Sequence, residues 1–248
     1  MRLVKRCALA LLLVFLVPAA ATAGWWALKE RPASWHAADW SASGVLPPPA
    51  GDAEAAVYLM AARTGGLKGA FSVHSWLVVK KPGAAAYERY DKVGWGRPVR
   101  RNGYPADGRW YSNRPVVVHA VRGRRAEALI PHIEAAIAAY PFARRGDYRL
   151  WPGPNSNSFV AHVLRAVPAF GARLPPNAVG RDYRPGLVAL DWSAAPFELS
   201  ATLGGVAGLS LGARSGFEVH LFGLVAGVDL ARPALKIPAY GRLELLRR

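Results

Sequence analysis

Residues 151–164, WPGPNSNSFVAHVL, decide how the rest of the chain is read. Two prolines restrict the backbone ahead of four small polar residues, Asn155-Ser156-Asn157-Ser158. An apolar stripe follows at helical spacing: Phe159, Val163 and Val167, with Val160 and Leu164 beside them. The pattern predicts a helix opening at Ser156, with an Asn or Ser cap accepting hydrogen bonds from first-turn amides. A helix start also offers unpaired amides and the positive end of a dipole, which suit an oxyanion or a bound anion. The same four residues read equally as a strong N-cap.

Upstream, residues 71–80 alternate as a strand, with Phe71, Val73, Ser75, Leu77 and Val79 on one face and Ser72, His74, Trp76 and Val78 on the other. His74 and Trp76 therefore share a face; a lone strand histidine is more often packed than catalytic. Residues 87–95 read as the next strand and carry Glu88 and Asp91, each within reach of a histidine on a neighbouring strand. Residues 53–64 fit a short helix closed by Gly65-Gly66, and residues 116–121 a buried strand holding His119. A further helix is expected to start near Leu129, which keeps Pro131 in its first turn, and to end at Pro141.

The N-terminus has Arg2, Lys5 and Arg6 before an uncharged run over residues 7–26. At about 1.5 Å per residue such a helix crosses a bilayer. Ala21-Thr22-Ala23 resembles a cleavage signal, whereas Trp25-Trp26 followed by Lys29 and Arg31 fits an interfacial anchor. The retained anchor is the favoured reading, and both readings export the bulk of the chain, which places it at the bacterial inner membrane facing the periplasmic or outer side. The parts are then a cytoplasmic end (1–6), the apolar segment (7–26), a Trp- and Pro-containing linker (27–51), a core (52–175) and a Gly-rich extension (176–248).

In that extension, residues 196–211 and 216–230 repeat the pattern F-E-(L/V), then G-x-V-A-G-(L/V)-x-L. Two strand-turn-strand units pairing as an antiparallel meander are expected. Their scarcity of charge points to a face buried on the core, or alternatively near lipid. Arg247-Arg248 would touch anionic head groups if the domain sits on a membrane.

The 248 residues carry 32 Lys and Arg against 16 Asp and Glu, a formal charge of +16. This favours anionic partners, although an Ala- and Arg-rich chain also arises from codon bias. Export argues against nucleic acid and leaves the membrane, an anionic lipid or an envelope glycan. Cys7 is the sole cysteine, so nothing after it supplies a disulfide, thiolate ligand or cysteine nucleophile. The six histidines lack zinc-motif spacing, and neither a metal nor a cofactor is implied.

The order of a strand histidine (VHSW) and a polar pair opening a helix (NSNSFVAHVL) resembles circularly permuted papain-like enzymes, the lecithin:retinol acyltransferase relatives and NlpC-type peptidases. Those have an H-W strand and then N-C-x-x-F-V at a helix start. The resemblance implies His74 as base, Ser156 at the nucleophile position, and Asn155 and Phe159 as flanking residues. Ser156 replaces the cysteine, and a serine hydroxyl stays protonated without a base in hydrogen-bond reach. Over residues 50–248 the chain also resembles the bacterial family called domain of unknown function 3750, through HSWLVVK, YERYDKVGWG, LIPHIEAAI and WPGPNSNSFVAH.

The expected fold is α+β, an antiparallel sheet packed on helices as a permuted papain-like core with a C-terminal β-meander. The expected function is a membrane-tethered envelope protein acting as an acyl or amide hydrolase or transferase through Ser156 and His74, with Glu88 or Asp91 orienting the histidine. Asn155, Asn157, Ser158, Trp76 and Trp151 are the expected substrate contacts. The alternative is a non-catalytic module binding anionic lipid or glycan groups.

Overall fold

The computed structural model describes residues 2–246, so the expectation for Arg247 and Arg248 lies outside the described residues. Two antiparallel sheets and a few helices make the fold α+β. The chain divides into two compact units: one draws on the residues up to Glu30, Leu67–Ser72 and those from Pro175 onward, the other on Arg31–Gly66 and Val73–Leu174.

The N-terminal helix runs through α1 (Arg2–Leu11), a π-helical turn at Leu12–Leu16 and α2 (Val17–Ala27). Its span Arg2–Ala27 is long and apolar enough to cross a membrane. One stripe is buried, Phe15, Ala19, Thr22 and Trp26, while Leu9, Leu13 and Leu16 stay exposed.

The larger unit holds a five-stranded sheet in the order β4-β3-β2-β1-β5, made of β1 (Ala56–Arg63), β2 (Val73–Lys80), β3 (Glu88–Lys92), β4 (Val99–Arg101) and β5 (Val116–Arg122). Residues 53–64, expected as a short helix, instead form the central strand β1, hydrogen-bonded to β2 on one side and β5 on the other. Residues Ala56–Ala62 are buried on both faces, so the apolar run has no alternation to mark it as a strand. The second correction is β5. It is an edge strand in which Val116 is 60% exposed.

On one face, Met60, Tyr58, Trp76, Val78 and Val93 pack under Trp110, Leu46 and Trp40, so the tryptophan-bearing arm before residue 51 covers this side. Helix α3 (Arg124–Ala138) contacts β1 and β5, and α4 (Ser156–Ala166) contacts β2, β3 and α3. The first of these helices starts five residues earlier than expected and carries Pro131 in its interior. Gly123, at φ +66°, turns the chain straight from β5 into the helix, so the first turn is already used by Arg124–Glu127. The second starts at Ser156, as its sequence predicts.

The other unit contains a seven-stranded meander in the order β12-β11-β10-β9-β8-β7-β6. Its strands are β6 (Val188–Ala194), β7 (Phe197–Leu203), β8 (Ala207–Gly212), β9 (Gly216–Leu221), β10 (Leu224–Asp229), β11 (Ala234–Ile237) and β12 (Gly241–Glu244). The two repeat copies are the hairpins β7-β8 and β9-β10. Their shared V-A-G glycine has a packing reason: a Cβ at Gly208 would lie 2.5 Å from the Ala201 carbonyl oxygen, and one at Gly227 would strike that of Phe217.

The meander departs from expectation in its burial. The polar row Asp191, Ser200, Ser210, Glu218, Gly227, Lys236 and Arg242 crosses all seven strands in register. On this face the buried Glu218 pairs with half-buried Arg181 and with buried Lys236 and His220, and His220 also meets half-buried Asp182 at 2.9 Å. The apolar side chains, expected to be buried on the core, point the other way and are exposed.

Candidate functional site

At the start of α4 the Asn155 carboxamide oxygen accepts from the amides of Asn157 (2.9 Å) and Ser158 (3.0 Å), and Ser158 Oγ accepts from the Asn155 amide (2.7 Å). This reciprocal capping box satisfies amides that an anion would otherwise use. The remaining arms are also structural. Asn155 Nδ2 donates to the Leu150 carbonyl, and Asn157 Nδ2 donates to the Val73 carbonyl, each at 2.9 Å, which ties the helix start to the beginning of β2. Asn155, Ser156, Asn157 and Ser158 are all buried, whereas Trp151 on the preceding loop is exposed.

The phenol of Tyr148 lies near Ser156. Burial pushes the Tyr148 phenol up to about 12 against the opposing pull of Ser156, so it stays a neutral hydroxyl. Tyr148 lies against Gly94, where a Cβ would come 3.0 Å from its ring, and Lys92 Nζ sits 5.9 Å from the ring centre while donating to the Phe142 carbonyl.

His74 belongs to the opposite face of the sheet. Strand alternation groups it with Trp76 and Val78, whereas Lys92 and α4 lie on the other side. His74 Nε2 lies 3.2 Å from Asp91 Oδ2, and Arg89 donates to that same oxygen at 2.9 Å. The imidazole is stacked on Trp110 with ring centres 3.6 Å apart and planes 4° from parallel, and Arg89 lies 4.0 Å over the Trp76 ring. Burial holds the His74 pKa below its ordinary value, outweighing Asp91, so the imidazole is neutral. Burial alone would raise the Asp91 carboxyl, but Arg89 and His74 outweigh it and keep it ionised.

Thus His74 and Asp91 are brought together, while Ser156 lies near Tyr148 and does not hydrogen-bond His74. Glu88 pairs with Arg101 and accepts from the Tyr90 hydroxyl, away from the histidine. Trp76, expected to touch substrate, is fully buried and donates to the Ala106 carbonyl at 2.8 Å. Its place in the strand interior leaves it no surface to offer. Among the described residues no group of three or more His, Cys, Asp or Glu is placed to hold a metal.

Two clefts in this unit escaped the sequence reading. One, of about 690 Å³, is lined by Trp35, His36, Trp95, Arg100, Gly103, Tyr104 and Tyr111. The other, of about 510 Å³, is lined by Tyr90, Arg97, Val99, Arg100, Arg101, Gly103 and Ile137. Arg100 and Gly103 border both. Arg100 is fixed by donating to the carbonyls of Trp95 (2.8 Å) and Arg97 (3.3 Å), and a Cβ on Gly103 would come 2.9 Å from its Cδ. The sequence signal was aromatic residues in polar, Gly- and Pro-rich loops, which have no periodicity to expose them.

The family described as Protein of unknown function (DUF3750) matches residues 54–183. The chain belongs to this family. The matched segment runs from just before β1 to beyond α4, so it takes in His74, Asp91, Arg100 and Ser156 together. No curated protein and no solved structure matches the chain.

Proposed function

We propose that this family member is a membrane-tethered binding module that takes an anionic envelope glycan in the paired clefts around Arg100. The observation that carries the reading is the juxtaposition of Trp35, Trp95, Tyr104 and Tyr111 with Arg97, Arg100 and Arg101 across a shared wall. Flat aromatic faces stack on the apolar side of sugar rings, and guanidinium groups pair with carboxylate or phosphate. The apolar span Arg2–Ala27 supports the tether.

The full chain in detergent is expected to retain an oligogalacturonate over neutral dextran, with binding that weakens as salt rises. Arg100→Ala and Trp95→Ala each lower affinity about tenfold or more, the loss of roughly 1.4 kcal/mol. Equal retention of both polymers, or full binding by both variants, removes the reading.

The acyl or amide hydrolase or transferase reading, with a permuted papain-like core, has less support. Base and nucleophile must come within about 3 Å, yet His74 is closed in beneath Trp110 and engaged by Asp91. In an H-W strand the two residues face opposite ways. Here Ser75 separates His74 from Trp76, so it is Ser75 that points toward α4. Labelling by a serine-reactive phosphonate that is lost in both Ser156→Ala and His74→Ala would restore the catalytic reading.

A further inference from the structure

The seven-stranded meander is polar on its packed face and apolar on its open one. A single row of paired residues shows this across every strand: Trp192, Leu199, Leu211, Phe217, Val228, Leu235 and Leu243, each paired in register with the next, are all between 37% and 71% exposed. No charged or polar side chain occurs on that face of any strand. With ~4.8 Å between strands and ~3.3 Å per residue, the face covers roughly 600 Å² before side-chain relief is counted. That is the upper end of the ~300–600 Å² found for the largest apolar patch on a soluble monomer.

We infer that this face docks on the acyl region of a lipid bilayer. The occupant is indicated by the same compact unit, in which the membrane-length helix touches β10 at its π-helical turn and exposes its own apolar side chains. A second copy laid on the sheet would cover the meander and leave Leu9, Leu13 and Leu16 of the helix in water, whereas an acyl layer takes both surfaces. The charged groups are withdrawn to the opposite face, where Glu218 is matched by Arg181, Lys236 and His220, so the docked face loses no ionic hydration.

The test uses the full chain with Cys7→Ser, which removes the sole thiol, reconstituted in phosphatidylcholine–phosphatidylglycerol vesicles. Single cysteines introduced as Leu190→Cys or Leu209→Cys on the apolar face and Ser193→Cys on the other, all at exposed positions, carry an environment-sensitive fluorophore. Doxyl-labelled lipid is expected to quench the probes at 190 and 209 at least twofold and to leave the probe at 193 unquenched. Probes at 190 and 209 that escape lipid quenching overturn the inference. If they are then quenched by iodide the face is open to water, and if they are shielded and show concentration-dependent energy transfer a second copy covers it.

Discussion

The two sheets each bury an arginine, a carboxylate and a histidine, and treat the histidine in opposite ways. In the five-stranded sheet Arg89 and His74 share the single carboxylate of Asp91, and burial leaves the imidazole neutral. In the meander His220 lies between two carboxylates, Asp182 and Glu218; burial would lower its pKa, but the two acids outweigh burial and raise it. Burial of Glu218 would raise its carboxyl, yet Arg181, His220 and Lys236 together hold it far below the usual range. Burial opposes the charged imidazole in both places, and two carboxylates in place of one tip His220 the other way. The sheets also differ in what closes over them: the first is covered on both faces, and the second turns its apolar face outward.

This contrast is most easily broken by removing the carboxylates. Asp91→Ala removes the carboxylate that Arg89 pairs with, and Glu218→Ala removes the one that Arg181 and Lys236 share. Losing Asp91 is expected to cost about 3–5 kcal/mol in denaturant unfolding of the full chain, and losing Glu218 less, because Asp182 still faces Arg181. Equal stability of either variant to the parent would show that its network is not a paired one.

Next in size is pH. His74 has a folded pKa below 6.5, so its contribution is present above pH 6.5 and is lost as pH falls through the lower folded value. His220 has a folded pKa above 6.5, so its contribution is complete below pH 6.5 and is lost as pH rises through the higher folded value. Imidazole resonances assigned with His74→Asn and His220→Asn should titrate on opposite sides of 6.5. A common midpoint would erase the distinction.

Smaller again is the helix cap. Asn155→Ala removes both cap acceptances and is expected to cost about 1 kcal/mol, up to ~2. The smallest effect belongs to Ser75, whose hydroxyl is fully buried without a partner on the face toward α4. Ser75→Ala is expected to be neutral or to stabilise by less than ~1 kcal/mol, since it removes an unsatisfied polar group. A loss above that would mean the hydroxyl has a role in the packing of α4.

Much of the architecture was legible because it rests on local rules. The start of α4 at Ser156 follows from the Asn cap and the stripe of Phe159 and Val163, and the hairpins of the meander follow from the repeated glycines. Strand β1 was misread because burial on both faces removes alternation, and α3 because Gly123 admits a conformation that starts the helix before the proline would suggest. Within the candidate site, the pairing of His74 with Asp91 rather than Glu88 is a matter of which face each strand residue occupies. The clefts around Arg100 join loops distant in sequence, from Trp35 to Tyr111, and no local pattern announces them.

The sequence by itself determined the apolar N-terminal segment, the capped helix at Ser156, the twofold strand repeat and the family, since each depends on side-chain type and short spacing. Only the tertiary structure decided that His74 is sealed under Trp110, that the start of α4 is occupied by its own capping box, and that the apolar side of the meander is exposed. Alternation along a strand fixes which residues share a face, but which face is covered depends on what the rest of the chain lays against it.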